Sequence, residues 1–397
     1  MYKLYCRFYQ FIIRLVSPFL KWREPTILHS YLEVVNTLKA QRKKRILLVS
    51  DSGLAIIGLF NDLVHALERN QITVTIFKHV TPNPTITQAE EAYALYQKNH
   101  CDGIIGFGGG SPLDVAKVVA AKVARPNKRI QKMKGILKVN AKIPLLIAVP
   151  TTAGTGSEAT LAAVIIDEAT KSKYAINDPS LFPHYALLLP ELTYGLPKHI
   201  TAETGMDTLT HAIEAYIGKS NTKYTREKAI NATRLVFTYL YLAYQEPQHA
   251  EARKMMQIAS YDAGAAFTRA YVGNIHALSH PLSAFYGVPH GRTNATIMPL
   301  VLEAYDRSIY PSLADLARRA GVTNELDDKK AADFLIARIV ELNHKMGIPS
   351  HISEIKDEDL EALATRAYHE ANPLYPVPVI FSKKEMIELY ALIKGAS

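Results

Sequence analysis

The sequence predicts an α/β amino-terminal half built on a doubly wound parallel sheet, followed by an all-α carboxyl-terminal half. Three observations carry this expectation. Short apolar runs alternate with helix-like stretches as far as residue 196. Loops rich in glycine or threonine stand directly after two of those runs. Beyond Leu196, strand signals give way to long helical patterns. Strands alternating with helices imply crossover connections, and hence a parallel sheet covered on both faces.

The elements follow in order. Ile46–Ser50 reads as a buried strand that ends at Asp51, and Ala55 to Arg69 as a helix. Ile72–Phe77 alternates like a strand and runs into the turn-rich segment Thr81-Pro82-Asn83-Pro84-Thr85. A helix is expected over Gln88 to Asn99, a strand over Gly103–Phe107, a helix over Pro112 to Ala124 and a buried strand over Pro144–Val149. Tyr174–Asn177 adds a further strand. The expected organisation is a basic helix over 1–25, a dinucleotide-binding domain over 26–196 and a helical domain over 197–397, with the active site in a cleft between the domains.

Composition excludes several classes. The chain has 397 residues, 48% of them hydrophobic and 21% charged, which is ordinary globular composition. Two cysteines cannot build a disulfide framework, so a reducing, cytoplasmic setting is expected. The net charge of +9 is concentrated at one end: residues 1–45 hold ten Lys or Arg and two acids. The remainder is nearly neutral and carries no nucleic-acid motif. Within the first 21 residues, Lys3, Arg7, Arg14 and Lys21 recur at helical spacing, while Leu4, Phe8, Phe11, Ile12, Leu15 and Phe19 take another face. Arg14 and Pro18 interrupt a span already too short to cross a bilayer. A peripheral membrane contact is one reading; docking on the body or on a neighbouring subunit is the other.

Two loops suit a dinucleotide. Gly106-Phe107-Gly108-Gly109-Gly110-Ser111-Pro112 joins a strand to a helix, so backbone can approach a phosphate closely at a helix start. Ser111 can cap that helix. Pro150-Thr151-Thr152-Ala153-Gly154-Thr155-Gly156-Ser157-Glu158-Ala159-Thr160 offers many small donors after a second strand. Asp51, at a strand end, can accept ribose hydroxyls and would repel a 2′-phosphate, which favours NAD over NADP.

A second constellation suits a metal. Asp207 and His211 are one helical turn apart and share a face. His276 and His280 repeat that spacing, and His290 follows Gly287 and Pro289 on a loop or a new helix start. One carboxylate with imidazoles suits Fe(II) or Zn(II) rather than calcium or magnesium. Spacing leaves His276, His280 and His290 equal candidates.

Together these segments resemble the iron-containing (group III) alcohol dehydrogenase family. The carriers are PNPT at 82–85, GGGSPLDVAK at 108–117, PTTAGTGSEAT at 150–160, TGMDTLTHAIEAY at 204–216 and HALSHPLSAFYGVPHG at 276–291. The resemblance implies a Rossmann-like domain followed by a helical metal-binding domain, an arrangement shared with dehydroquinate synthase. It implies Asp207, His211, His276 and His290 as ligands to Fe(II) or Zn(II), with His280 beside nicotinamide and substrate. It places Asp51, Asn83, Gly109, Gly110, Ser111, Thr151, Thr152, Thr160 and Lys173 on cofactor positions. The implied activity is hydride transfer between NAD(H) and a small alcohol or aldehyde; independently, a homodimer is the expected assembly. Polyol, lactaldehyde or propanediol oxidation is the same-fold alternative. Maleylacetate reductase and synthase-type chemistry rank lower, since only Arg269 and Arg292 stand near the histidine motifs to take an anionic substrate. Glu203, Ser283, Ala284, Arg292 and Leu189-Pro190-Glu191 depart from the family pattern.

Overall fold

In the computed structural model, the residues described are all except 17–19, 21, 171 and 396–397. The chain divides into two compact units: Lys21–Thr193, and Met1–Leu20 together with Tyr194–Ser397.

The first unit is a parallel sheet covered on both faces. Its strands are β1 (Thr26–Leu28), β2 (Arg45–Asp51), β3 (Thr73–Val80), β4 (Gly103–Gly108), β6 (Leu145–Pro150) and β9 (Tyr185–Leu187), with β5 (Gly135–Ile136), β7 (Ala162–Asp167) and β8 (Ser172–Asn177) in a second, three-stranded sheet. The main sheet runs β1-β9-β6-β4-β2-β3 and every pairing in it is parallel. In the small sheet β7 runs antiparallel to β8. The helices are α2 (Tyr31–Ala40), α3 (Ser52–Ile56), α4 (Asn61–Glu68), α5 (Ile86–Lys98) and α6 (Gly110–Ala124), after α1 (Tyr2–Val16), which belongs to the other unit.

Successive side chains of a strand point to opposite faces. Leu47 and Val49 of β2 therefore join one core with Ala89 of α5 and Val115 and Val119 of α6. Ile46 and Leu48 join the other with Val35 and Leu38 of α2 and Leu63 and Leu67 of α4. A continuous apolar run is what burial on both faces demands.

Two local expectations are corrected. The helix expected over Ala55 to Arg69 is broken into α3 and α4 at Gly58, whose φ is +67°. A side chain there would meet Asn61 at 2.7 Å in a backbone conformation that disfavours one. The helix expected from Pro112 begins at Gly110, and its N-cap is Gly109 with no side-chain cap bond, so Ser111 lies in the first turn rather than capping.

The second unit is helical: α7 (Lys198–Ile217), α8 (Lys223–Gln245), α9 (Ala250–Ala270), α10 (Asn274–Tyr286), α11 (His290–Tyr305), α12 (Tyr310–Arg319), α13 (Asp328–Lys345), α14 (Leu360–Ala371) and α15 (Lys383–Lys394). Small residues set its closest approaches. A Cβ on Gly291 of α11 would stand 2.4 Å from the backbone oxygen of Glu203 on α7, so glycine lets these helices touch. The unit also carries α1, held by Arg7 donating to the carbonyls of Val377 (2.6 Å) and Pro378 (2.7 Å) and by Gln10 donating to that of Tyr375 (2.7 Å). No described helix is long and apolar enough to cross a membrane.

Candidate metal and cofactor sites

In the helical unit, α7 places Asp207, His211 and Glu214 on one stripe, at offsets of four and seven residues. The start of α10 brings His276, and the first residue of α11 is His290. The Oδ1 of Asp207 lies 3.7 Å from the Nε2 of His276 and 3.7 Å from that of His290. All three ligand atoms lie within 4.8 Å of one another. Asn294, one turn along α11 from His290, donates from Nδ2 to Asp207 Oδ1 at 2.7 Å and lies 3.1 Å from both Nε2 atoms. Its amide group, whose hydrogens carry partial positive charge, sits where the three lone-pair donors converge. It stands in for a cation there, and the donor set is of the kind that Fe(II) or Zn(II) accepts.

His211 adjoins this trio. Its ring stacks on Phe267 at 4.2 Å and on His276 at 4.5 Å, and its Nδ1 is 3.9 Å from Asp207 Oδ2. His280 stands apart by its partner: its Nδ1 contacts Glu370 Oε1, which also accepts from Tyr375 Oη at 3.0 Å. The structure thus separates His280 from His276, although both sit on one face of α10.

Glu214 is the residue that sequence reasoning left without a role. It is fully buried, and its Oε2 lies 2.6 Å from His276 Nδ1 and accepts from Gly273 N (2.7 Å). Its Oε1 accepts from Ile275 N (2.7 Å). A Cβ on Gly273 would be 2.7 Å from that carboxylate, so the close approach requires glycine. Burial pushes the Glu214 carboxyl up to about 8 and raises that of Asp207 as well. Burial, followed by the neighbouring His211, His290 and His280, holds His276 well below the usual imidazole range. A neutral imidazole that donates from Nδ1 to an ionised carboxylate presents Nε2 as a lone pair. The i,i+7 placement of Glu214 after Asp207 was a readable signal. Asn294, one turn after His290, carried the same kind of signal, whereas Glu370 had none, because it lies 90 residues from His280.

The family departures are also placed. Arg292 pairs with Glu354 at 3.3 Å, and the Glu203 carboxyl is raised by burial and drawn down by His199 and Arg292. Ser283 donates to Val288 O (2.9 Å), tying down the turn between α10 and α11.

In the α/β unit, β2, β4 and β6 are neighbours, and their carboxyl ends carry Asp51, Gly108 to Ser111, and Thr151 with Thr152. The pairing of Gly108 with Pro150 sets the glycine and threonine loops side by side. A Cβ on Gly110 would meet Thr155 at 2.9 Å. Asp51 caps α3, accepting from Leu54 N at 2.9 Å through Oδ1. Asn83, at φ +57°, accepts from Lys173 Nζ at 2.8 Å, so the turn-rich segment 81–85 and β8 meet at two residues expected to serve one cofactor. Thr160 is buried, and its hydroxyl accepts from Lys117 Nζ at 2.9 Å. That ammonium also lies 2.6 Å from Ser157 O, 2.8 Å from Ser157 Oγ and 2.8 Å from Ala162 O, so its three N–H groups are shared among four acceptors. Ser157 in turn donates to Asp114. Lys117 therefore pins the threonine-rich loop to α6. Burial lowers its pKa to about 8.

Comparison with known proteins joins these observations. Residues 28–190 match the model of iron-containing alcohol dehydrogenase, and residues 201–393 match that of the Fe-containing alcohol dehydrogenase family, C-terminal. The NAD-dependent methanol dehydrogenase of Bacillus methanolicus is 36% identical, over 85% of this chain and 89% of its own. The 1,3-propanediol dehydrogenase of Citrobacter freundii is 35% identical, over 87% and 90%. The solved alcohol dehydrogenase from Oenococcus oeni superposes with a TM-score of 0.90 at 30% identity, covering 94% of this chain and 100% of its own.

Proposed function

Because the chain belongs to the iron-containing alcohol dehydrogenase family, and is thereby a metal-containing alcohol oxidoreductase, we propose that it moves a hydride between NAD(H) and a small alcohol or aldehyde. Asp207, His211, His276 and His290 would hold Fe(II), with Zn(II) as the competing ion. Asp51, Asn83, Gly109, Gly110, Ser111, Thr151, Thr152, Thr160 and Lys173 would serve NAD, Thr160 by shaping its loop through Lys117. We place the enzyme in the cytoplasm as a homodimer. The observation that carries the reading is the convergence of Asp207 Oδ1, His276 Nε2 and His290 Nε2 on one point.

When bound, the metal supplies a Lewis acid for the substrate oxygen and NAD supplies the hydride acceptor. The protein's own groups do the rest. Glu214 fixes His276 so that Nε2 points at the cluster. His280, its Nδ1 engaged by Glu370, keeps Nε2 to take or return the hydroxyl proton. No side chain acts as a nucleophile.

The test is reduction of short aldehydes with NADH by chelator-treated protein, before and after addition of Fe(II) or Zn(II). Activity is expected to vanish on chelation, return with metal, and stay absent in His276→Ala. Full activity without metal, undiminished in that variant, would overturn the proposal.

A further inference from the structure

The segment between α14 and α15 is short of internal hydrogen-bond partners. Residues 372–382 form neither helix nor strand, and Pro373, Pro376 and Pro378 supply no N–H. Its carbonyls therefore draw on donors from elsewhere. From Tyr375 to Val379 every carbonyl has one. Pro376 O accepts from Lys219 N (2.7 Å) and Val379 O from Asn274 Nδ2 (3.0 Å). The other three are met by α1. Gln10 Nε2 donates to Tyr375 O (2.7 Å), which also takes Val377 N–H (2.8 Å). Arg7 donates from Nη1 to Val377 O (2.6 Å) and from Nη2 to Pro378 O (2.7 Å). Gln10 Oε1 accepts from Arg7 Nη1 at 2.9 Å, which ties the two side chains together. Cys6, one turn before Gln10, is buried against Val377 and Ile380.

The same segment reaches the histidine assigned to proton transfer. Tyr375 Oη donates to Glu370 Oε1 at 3.0 Å, and that oxygen also bonds His280 Nδ1. Burial, and then the Glu370 charge, hold the Tyr375 hydroxyl well above the usual phenol range, so it stays a donor. Glu370 lies in the last turn of α14, just before the proline segment begins. α1 meets this helix as well: Tyr2 stacks on Tyr368, with ring centroids 5.6 Å apart. The bond made by one imidazole nitrogen orients the other. A continuous path of contacts thus runs from Arg7 and Gln10 through Tyr375 and Glu370 to His280.

We propose that α1 braces the active centre: Arg7 and Gln10 are positioning residues that hold Tyr375 in place, and Tyr375 holds the Glu370 carboxylate on His280 Nδ1. This role rests on the task given to His280 above.

The test is a double-mutant cycle between α1 and His280 in the full-length, metal-loaded protein. Arg7→Ala/Gln10→Ala is expected to lower kcat for aldehyde reduction about tenfold, by misplacing His280. KM for NADH and metal content are expected to stay those of the parent. In a His280→Ala background the same two changes are expected to lower kcat no further. Tyr375→Phe removes only the bond to Glu370 and leaves α1 docked, so it decides the matter if the double variant does not fold; it should reproduce the loss. A readout independent of turnover is the downfield proton resonance of His280 Nδ1–H in the Zn(II)-loaded protein, identified by its loss in His280→Ala. It is expected in the parent and is expected to vanish by fast exchange in Tyr375→Phe and in the α1 variant. An unchanged resonance, an unchanged kcat, or a loss that adds in full to that of His280→Ala would overturn the brace. A parent that reduces no aldehyde would overturn the reaction assigned above instead, and the resonance alone would then decide the brace.

Discussion

Replacing Glu214 by glutamine tests how His276 is aimed. The carboxylate serves three donors: Oε1 takes Ile275 N–H, while Oε2 takes Gly273 N–H and faces His276 Nδ1. Glutamine keeps one accepting oxygen. Whichever way it turns, its NH2 meets a group that donates, and the least costly orientation strands the N–H of Ile275. A buried donor left unpaired costs about 1–3 kcal/mol, so the melting temperature should fall. The second effect is specific to the site. His276 loses the anion that orients its ring, and loss of such a partner lowers metal affinity roughly 10–100-fold, about 1.4–2.7 kcal/mol. Competition against a fluorescent chelator measures the affinity, and thermal denaturation of the metal-free protein measures the stability term alone. A variant that melts lower but binds Fe(II) or Zn(II) as tightly as the parent would refute the orienting role and leave Glu214 a purely structural acceptor.

Two further outcomes follow from the packing and from charge. Gly291→Ala forces a Cβ to within 2.4 Å of the Glu203 backbone oxygen, so α11 must retreat from α7 and carry His290 with it. A loss of about 1–3 kcal/mol in denaturant unfolding, together with lower metal content, is expected, and a variant with parental stability and metal content would show that the contact relaxes freely. His184 is held down from the usual 6.5 to about 4, by burial first and then by Arg23 and Lys142, while its Nδ1 accepts from Leu146 N. Its folded pKa lies below the unfolded value, so the unfolded chain binds the extra proton between them. The stabilisation is complete above pH 6.5 and is lost as pH falls towards about 4. The full displacement equals roughly 3 kcal/mol, and solvent around the half-buried ring reduces this to about 1–2 kcal/mol. Stability of His184→Gln relative to the parent, followed by denaturant unfolding from pH 7 to 4, should show the difference shrinking; a constant difference would exclude the titration.

Much of the fold was legible because its signals are local. The run Ile46-Leu47-Leu48-Val49 can be buried on both faces only inside a covered sheet, and that is where β2 lies. Gly58 could not be placed, because the residues on both sides of it keep a helical pattern and only a positive φ reveals the break. The strands β1 and β9 are three residues each, too short for periodicity to register. In the proposed metal cluster, Asp207 and His211 share one turn of α7, while His276 and His280 share a face of α10 and are told apart by contacts from elsewhere. Glu214 is 62 residues from His276, and Glu370 is 90 from His280. The amphipathic character of α1 was visible, whereas its orientation depends on Val377, Pro378 and Tyr375 at the far end of the chain.

The same long-range contacts give the metal cluster its charge logic. Two carboxyl groups, Asp207 and Glu214, are buried within one turn of His211, and burial raises both. Among the described residues they bond to histidines, Asn294 and backbone N–H groups, not to a lysine or arginine. His276 is disfavoured as a cation by burial and by its imidazole neighbours, so it does not supply the balancing charge. A buried anion without a countercharge is costly, and protonating it is one escape. A divalent cation is the other, because it offsets both carboxylates and turns the neutral imidazoles from a burden into ligands. Glu214 would then serve the proposed metal site's electrostatics as well as its geometry, aiming His276 and adding the second negative charge that would make a dication, rather than a proton, the better occupant.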